Sequence, residues 1–273
     1  MIDTHCHLTF PEFAGRIDAV MDEAARVGVT GAITIATGSD DSQAALRVAE
    51  SHPNVWCAAG VHPLYSDEEP HDWKAVRRVA EHPRCVTFGE LGLDNHHARP
   101  PRAVQDRVLA DQLAFIESCI ADGVDRPVVI HCRRAVKDLL PILRQTTIRP
   151  ERFVFHCFTE PPEDARLVLD FGAFISFTGV VTYRNAADVA ESARLVPDDR
   201  ILIETDAPFL SPEPLRGRRP CLPAYARLTA ERVAELRSTP FQDFHDTIDR
   251  NTAAFFGITP PAPAPGALET PVT

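Results

Sequence analysis

Short β-rich runs alternate with longer amphipathic stretches along most of this chain, and this alternation limits the possible folds more than any other feature. Eight such runs can be read from the sequence: Ile2 to His7, Gly31 to Thr37, Val55 to Val61, Cys85 to Glu90, Pro127 to His131, Phe153 to Cys157, Gly172 to Phe177 and Ile201 to Thr205. Helical periodicity fills the intervals, as in 104–121, where Val108, Gln112 and Ile116 recur on one face. The pattern is typical of a parallel sheet with helical crossovers.

Eight strand and helix units in about 250 residues predict an α/β protein built as a single (β/α)8 TIM barrel. A doubly wound sheet is the competing architecture, but it usually has a glycine-rich phosphate turn after its first strand. Here neither GxGxxG nor GxxxxGK[ST] occurs. The barrel is predicted to span residues 1–258, and the Pro- and Ala-rich segment 259–273 is predicted to be a disordered tail.

Composition and charge narrow the class of protein. The chain has 273 residues, of which 44% are hydrophobic and 25% charged, a profile typical of a soluble globular domain. Without a secretory leader or a bilayer-spanning apolar stretch, we expect a cytoplasmic protein with no membrane partner. The formal net charge of -11 argues against non-specific coating of nucleic acid. A phosphodiester substrate remains open, because divalent ions supply local positive charge.

The cysteines are expected to be packing residues rather than disulfide partners. There are seven, an odd number, and none forms a CxxC pair. Cys6, Cys132 and Cys157 each follow a histidine directly, so strand alternation is expected to point them away from it.

Side chains that bind metals stand at the ends of the predicted strands. His5 and His7 close the first run two residues apart, so they point the same way off one strand. Other such side chains end or follow later runs, namely His62, Glu90, His131, His156 and Asp206. Because the reactive face of a barrel lies at the carboxyl ends of its strands, we expect a metal site there.

Two divalent ions are predicted, because six ligands are too many for one ion that also leaves a position open for water. The ligands are His5, His7, Glu90, His131, His156 and Asp206. Glu90 is the expected bridge. Neighbouring strands assign His5, His7 and Asp206 to one ion and His131 and His156 to the other. Histidine and carboxylate ligands suit Mg, Mn, Zn or Co.

Several motifs together resemble those of the TatD family of metal-dependent deoxyribonucleases, within the amidohydrolase-like barrels. They are Asp3-Thr4-His5-Cys6-His7-Leu8, Gly60-Val61-His62-Pro63, Gly89-Glu90-Leu91-Gly92-Leu93-Asp94, Pro127-Val128-Val129-Ile130-His131-Cys132-Arg133, His156-Cys157-Phe158 and Glu204-Thr205-Asp206-Ala207-Pro208-Phe209-Leu210. The resemblance implies a (β/α)8 barrel, divalent metal dependence and hydrolysis of phosphodiester bonds in DNA, often from the 3′ end. It also implies that the six ligands form the metal site and that His62 lies behind them or faces the substrate.

The predicted reaction is attack of a metal-activated water on phosphorus, with Asp206 and Glu90 as the catalytic carboxylates. Asp206 is expected to accept the proton of the water. Arg133, on the face of His131, is expected either to clamp a phosphate oxygen or to pair with a loop carboxylate. Glu204 shares the strand face of Asp206 and is expected to orient it.

Positions around the expected substrate mouth differ from the family pattern. Asn95 follows the Gly-Leu-Asp motif, where the family commonly has an aromatic residue, and Pro220 stands where relatives often have Asn. Asp94, the last residue of the motif, is expected to contact the substrate or a metal ligand. The basic segment 216–219 is read either as a phosphate contact or as a solvated loop.

The sequence thus predicts a hydrolase that acts on ester bonds, with single-stranded DNA ends as its partner. The main alternative is an amidohydrolase or esterase, including an aminoacyl-nucleic-acid deacylase, because the same metal chemistry activates water against a carbonyl carbon. No lysine ends a predicted strand, so a carbamylated lysine bridge is not expected. A non-catalytic, metal-stabilised adaptor is a further alternative. The oligomeric state is left open, with a monomer as one expectation.

Overall fold

The strands form one parallel sheet in which each strand pairs with the next along the chain. The computed structural model describes residues 1–269 and 271–272. The strands are β1 (Ile2–Cys6), β2 (Gly31–Thr34), β3 (Val55–Ala59), β4 (Cys85–Asp94), β5 (Val128–Arg133), β6 (Phe153–Phe155), β7 (Phe174–Phe177) and β8 (Ile201–Ile203). Most of their residues are buried, as expected for a parallel sheet covered by helices.

Helices follow the strands and cover the outside of the sheet. They are α1 (Ile17–Arg26), α2 (Ser39–Ser51), α3 (Trp73–Glu81), α4 (Arg102–Ala121), α5 (Val136–Leu143), α6 (Pro162–Phe171), α7 (Ala187–Leu195), α8 (Ala226–Leu236) and α9 (Phe241–Phe256). Short 3-10 helices occur at Pro11–Phe13, Pro63–Tyr65, Pro150–Arg152, Gly179–Thr182, Pro223–Tyr225 and Ala267–Glu269. The helix predicted over 104–121 is confirmed as α4, with Val108 and Ile116 buried. None of the helices in the described part of the chain is long and apolar enough to cross a bilayer.

Strands β8 and β1 meet just beyond their ends and bring the sheet round into a barrel. The amide of His7 donates to the carbonyl of Ala207 at 2.7 Å, and the amide of Asp206 donates to the carbonyl of His5 at 2.9 Å. The predicted (β/α)8 barrel is therefore confirmed. Its closure places the ends of the first and last strands side by side.

Strand β4 extends further than the sequence indicated, to Asp94 rather than Glu90. In this extension Gly92 pairs with His131 and Asp94 with Arg133. Gly92 has φ +150°, and a Cβ on it would lie 1.9 Å from the carbonyl oxygen of His131. The glycine therefore permits the close approach of β4 and β5 that brings Asp94 beside His131.

A buried polar pair joins β1 to the residues after β8. Asp3 is fully buried, and its carboxyl accepts hydrogen bonds from the amide of Thr205 at 2.9 Å and from its hydroxyl at 2.5 Å. The amide of Ala207 donates to the same hydroxyl at 3.0 Å. Burial raises the pKa of Asp3 to about 8. The pair fixes the backbone between the histidines of β1 and Asp206.

Replacing Thr205 with Val should lower the free energy of unfolding by about 2–4 kcal/mol, because it leaves both a buried carboxyl oxygen of Asp3 and the amide of Ala207 without a partner. Urea unfolding of the two proteins measures the difference. Thr205→Ser retains the hydroxyl and should stay close to wild type. Equal stability of wild type and the Val variant would contradict this role.

Part of the segment after the last long helix lies against the barrel. The carbonyl of Leu268 accepts a hydrogen bond of 2.6 Å from Arg227 Nη2. A Cβ on Gly28 would lie 2.4 Å from Leu268 Cδ2. The boundary at residue 258 and the disorder of 259–273 stay predictions, and Thr270 and Thr273 lie outside the described residues.

Candidate metal centre

A cavity of about 560 Å³ opens at the carboxyl ends of the strands. Its lining contains eight of the predicted site residues, His7, His62, Glu90, Asp94, His131, Arg133, His156 and Asp206. His5 and Glu204 are buried directly behind this lining, in contact with Glu90 and His156 respectively. The structure thus brings every predicted site residue to one mouth, while their roles in binding and catalysis stay predictions.

Glu90 lies at the centre of the cluster and is 1% exposed. Its Oε1 lies 3.4 Å from His5 Nε2 and 3.7 Å from His7 Nε2. Its Oε2 faces three other rings, at 2.7 Å from His156 Nε2, 3.2 Å from His131 Nδ1 and 3.6 Å from His62 Nε2. The two oxygens therefore face different groups of histidines, as a carboxylate that bridges two ions requires.

Among the described residues, three groups of side chains place their potential ligand atoms within 4.8 Å of one another. They are His5, His7 and Asp206, then His5, His156 and Glu204, and finally His62, Glu90 and His131. The first group has the composition predicted for one ion. The third group contains His62 beside Glu90 and His131. From the sequence, His62 is expected behind the ligands or facing the substrate.

Hydrogen bonds on the far side of two rings turn the near nitrogen of each ring toward the cluster. His7 Nδ1 lies 3.0 Å from the carbonyl oxygen of Ile35, which only accepts, so this nitrogen donates and the neutral ring has its lone pair on Nε2. His131 Nε2 lies 3.2 Å from Asp94 Oδ2, which leaves His131 Nδ1 facing Glu90. Partners of this kind orient metal-binding histidines.

His62 has the opposite arrangement. Its Nδ1 accepts a hydrogen bond of 2.9 Å from the amide of Leu64, so the proton of the neutral ring lies on Nε2. Burial foremost, together with nearby imidazoles such as His131, lowers the pKa of His62 to about 3. The side chain therefore presents a neutral N–H donor, 3.1 Å from His131 Nδ1, rather than a lone pair for a cation.

His5 provides the test of whether these residues fit a metal. Among the described residues, neither of its buried ring nitrogens has a hydrogen-bond partner. Its Nε2 lies 3.4 Å from Glu90 Oε1 and 3.6 Å from Asp206 Oδ1. A cation about 2 Å from each ligand atom holds such atoms roughly 3 Å apart, so the spacing and the unpaired nitrogen fit a divalent ion.

The charges within the cluster balance the effect of burial. Burial would raise the pKa of Glu90, but the neighbouring imidazoles, His156 foremost, hold it well below its usual value. Burial would lower the pKa of His156, but Glu90 and Glu204 raise it well above its usual value. Burial would raise the pKa of Asp206, but the hydrogen bond with His7 and the charges of His5, His7 and His156 together lower it. Both acids are therefore ionised at neutral pH, as metal binding requires.

Glu204 contacts different groups from those the sequence indicated. The sequence predicts that it orients Asp206, whereas its Oε1 accepts a hydrogen bond of 2.6 Å from the amide of Cys157 and lies 3.5 Å from His156 Nδ1. The reason is that β8 ends at Ile203, so strand alternation no longer relates residues 204 and 206. Asp206 itself has φ +60°.

Cys132 and Cys157 line the cavity together with the histidines that precede them, which strand alternation did not predict. Strand β6 ends at Phe155, and Cys157 adopts φ +45°, a left-handed conformation outside the strand. Cys6 is fully buried.

Two buried glutamines of α4 hold the loops that carry site residues, and sequence reasoning gave them no functional role. Gln112 accepts from the amide of Val61 at 2.8 Å and donates to its carbonyl at 2.7 Å, next to His62. Gln105 accepts from the amide of Asp94 at 2.8 Å and donates to its carbonyl at 3.2 Å. The available signal was a polar side chain on the buried face of a helix.

Arg133 and Arg219 also line the cavity, and within the described part of the chain neither guanidinium forms a hydrogen bond or an ion pair. The loop salt bridge considered for Arg133 is thus not formed among these residues. Arg216, by contrast, lies 3.7 Å from Glu213 and 4.0 Å above the ring of Tyr183. The cavity therefore combines a cluster of potential metal ligands with guanidinium groups available to an anion.

In the segment after Asp94, His97 rather than Asn95 reaches the cavity. Asn95 points away from the cavity and donates 2.8 Å and 2.9 Å hydrogen bonds to the Arg134 carbonyl and to Asp138. His97 lines the cavity instead, with its Nδ1 3.0 Å from Asp94 Oδ2. Pro220 does not line the cavity, but its neighbour Arg219 does.

Comparison with known proteins identifies relatives over nearly the whole chain. The family described as TatD related DNase matches residues 2–257. The metal-dependent hydrolase YcfH of Escherichia coli is 35% identical over 262 residues, which cover 94% of this chain and 96% of YcfH. An Enterobacter lignolyticus protein named 3′-5′ ssDNA/RNA exonuclease TatD is 33% identical over 264 residues, covering 94% of this chain and 99% of that protein.

A solved structure agrees with the fold. The crystal structure of YjjV, a TatD homologue from Escherichia coli, superposes with a TM-score of 0.86 at 29% sequence identity. The match covers 94% of this chain and 98% of YjjV. The family that the motifs resemble and the barrel that they imply are both confirmed.

Proposed function

This chain belongs to the TatD family, and we propose that it is a metal-dependent nuclease that hydrolyses phosphodiester bonds of single-stranded DNA from the 3′ end. The observation that supports this most is the cavity that holds both the histidine and carboxylate cluster and the unpaired guanidinium groups of Arg133 and Arg219. A phosphodiester needs both, because ions activate water and guanidinium groups bind phosphate oxygens. The name of the Enterobacter relative supports the substrate and the polarity.

We propose that the site holds two divalent ions, of Mg, Mn, Zn or Co. His5, His7 and Asp206 would hold one, His131 and His156 the other, and Glu90 would contribute an oxygen to each. When bound, such ions lower the pKa of water toward neutrality and offset the negative charge of the phosphate.

The side chains around the ions supply proton transfer and positioning. Asp206 is ionised at neutral pH and accepts the proton of the attacking water at a carboxylate oxygen. His62 Nε2–H donates a hydrogen bond to a phosphate oxygen, and the Arg133 guanidinium binds a second oxygen. Asp94 and Glu204 orient metal ligands: Asp94 contacts His131, and Glu204 contacts His156.

The test is hydrolysis of an oligodeoxynucleotide labelled at either end by metal-stripped protein, repeated after addition of Mg²⁺, Mn²⁺, Zn²⁺ or Co²⁺. We expect a ladder that shortens from the 3′ end only when an ion is present. His5→Ala should abolish it. Matched ester and amide substrates, including an aminoacyl nucleic acid, are assayed in parallel. Cleavage of those substrates without cleavage of DNA would overturn the proposal in favour of an amidohydrolase or esterase.

The position of the lysines argues against an amidohydrolase with a carbamylated lysine bridge. Lys74 and Lys137 lie on the outer helices α3 and α5, and the described lining of the cavity contains neither. A metal-stabilised adaptor would bind ions without hydrolysing any of these substrates. We further propose that the protein acts in the cytoplasm, on nucleic acid rather than at a membrane, and as a monomer.

Removal of the ions is expected to destabilise the fold, because the carboxylates of Glu90 and Asp206 then lose a counter-charge and the ring nitrogens of His5 are left without a hydrogen-bond partner among the described residues. At an ion concentration about 100 times Kd, binding contributes about 2.7 kcal/mol, which shifts Tm by roughly 5–10 °C in a domain of this size. Differential scanning calorimetry before and after chelation measures the shift. His5→Ala should respond less to chelation than wild type, and an unchanged Tm of the wild-type protein would contradict a metal in this cluster.

A further inference from the structure

The cavity mouth has chemically different sides, which the barrel order places apart. Arg133 ends β5 and His97 follows β4, so this side of the mouth is polar and basic. Phe10 follows β1 and Phe209 follows β8, and these strands are neighbours where the barrel closes. The side with the aromatic rings, which also carries Arg219 after β8, therefore lies across the mouth from Arg133 and His97.

Phe209 is exposed although its backbone is held firmly. The ring is 37% exposed, and only Leu167 among the described large apolar side chains is exposed to a similar degree. The next residue, Leu210, adopts φ +59°, a strained conformation for a branched side chain. A Cβ on Gly179 would lie 2.3 Å from the carbonyl oxygen of Leu210, so the loop rests directly on the chain after β7. A packed, strained loop that presents an apolar ring to the cavity suggests a ligand for that ring.

The aromatic side is continuous with the proposed metal ligands. His7 stacks on Phe10 with ring centroids 4.9 Å apart and planes 25° apart. Phe209 meets Phe10 edge to face at 5.9 Å and lies 6.4 Å from the His7 ring. The distance from the outer surface of Phe209 to the expected position of a scissile phosphate is thus no more than the length of one nucleotide.

On the basis of the proposed nuclease function, we propose that the base of the 3′-terminal nucleotide stacks on Phe209, which Phe10 supports from behind. The cavity, of about 560 Å³, has room for one nucleotide. The phosphate is then directed to His62 and the ligands, and the remaining strand leaves across Arg133. Stacking on an aromatic ring accepts every base, so the site is expected to show little sequence preference.

A substrate that lacks the terminal base separates stacking from every other contact. The enzyme is assayed on two oligodeoxynucleotides, one with a natural 3′-terminal nucleotide and one with a tetrahydrofuran abasic residue there. Phe209→Ala should lower kcat/KM about 10- to 100-fold on the natural end, mainly through KM, and change the abasic end little. Phe209→Tyr keeps the ring and should stay close to wild type. Leu167→Ala removes the other exposed apolar side chain, on the outer helix α6, and should have no effect.

Equal losses on both substrates would overturn the stacking proposal while leaving the nuclease function intact. Binding gives a second readout that needs no turnover. With 2-aminopurine at the 3′ end, the Asp206→Asn protein in saturating Mg²⁺, a diamagnetic ion, should quench its fluorescence, and adding Phe209→Ala should remove the quenching. If wild type cleaves no nucleic acid, the proposed function fails, and the binding assay alone decides whether the ring takes a base. Absence of quenching there would overturn this inference as well.

Discussion

Replacing Asp206 with Asn is expected to lower kcat by about 10²- to 10⁴-fold, the usual contribution of a positioned proton acceptor. The amide retains the size of the side chain but cannot take a proton from water at neutral pH. Asn also tolerates the left-handed backbone at this position, where φ is +60°, so the loop should keep its conformation. Steady-state kinetics on the oligodeoxynucleotide gives kcat and KM separately, and KM should change far less than kcat.

The matched control for Asp206→Asn is Asp170→Asn, at an exposed position on α6 far from the cavity lining. It should match wild type in both constants. Retention of wild-type kcat by the Asp206 variant would remove this residue from the proton-transfer step. A loss confined to KM would leave it as a binding residue only and contradict its role as proton acceptor.

Replacing Glu90 with Gln is expected to weaken metal binding by at least about 100-fold, more than the loss of an outer partner usually causes, and to abolish turnover at ordinary ion concentrations. The carboxylate faces both sets of histidines, with His5 on one oxygen and His156 on the other. A neutral amide cannot supply negative charge to two cations. Isothermal titration of stripped protein with Mn²⁺ measures the affinity and the stoichiometry.

Glu163→Gln, at an exposed position on α6, is the matched control and should bind metal as wild type does. Circular dichroism should confirm that the Glu90 variant is folded, so that lost binding is not lost structure. Wild-type affinity in a folded Glu90 variant would contradict the bridging role.

The sequence predicted the location of the site because local rules determine it. His5 and His7 share a strand face through alternation, and parallel strands bring their carboxyl ends to one edge. Glu90, His131 and Asp206 reach the mouth for the same reason, and their separation along the chain does not matter. The barrel itself follows from the repeated strand and helix pattern.

Contacts between residues far apart in the sequence could not be predicted from the sequence. Asp3 and Thr205 are 202 residues apart, and nothing in either local sequence indicates that one accepts from the other. Gln105 and Gln112 occupy the buried face of α4, where only the fold shows which backbone groups they satisfy. The register that places Gly92 against His131 likewise depends on pairing between two strands.

The donor character of His62 shows how a local hydrogen bond changes a functional interpretation. Its side chain lies within ligand distance of Glu90 and His131, as a metal ligand would. The amide of Leu64, two residues further along the chain, occupies Nδ1 and leaves a proton on Nε2. Residue type and proximity alone therefore overestimate the number of ligands.

Metal titration of hydrolysis tests the central claim most directly. Stripped protein at a concentration well above Kd receives Mn²⁺ in steps while the shortening of a 5′-labelled single-stranded oligodeoxynucleotide is followed. We predict that activity rises to a plateau at about two ions per chain, as expected for a two-ion site, and that the products form a ladder from the 3′ end. Hydrolysis by the stripped protein at the same rate, or no hydrolysis at any ion content, would contradict the account.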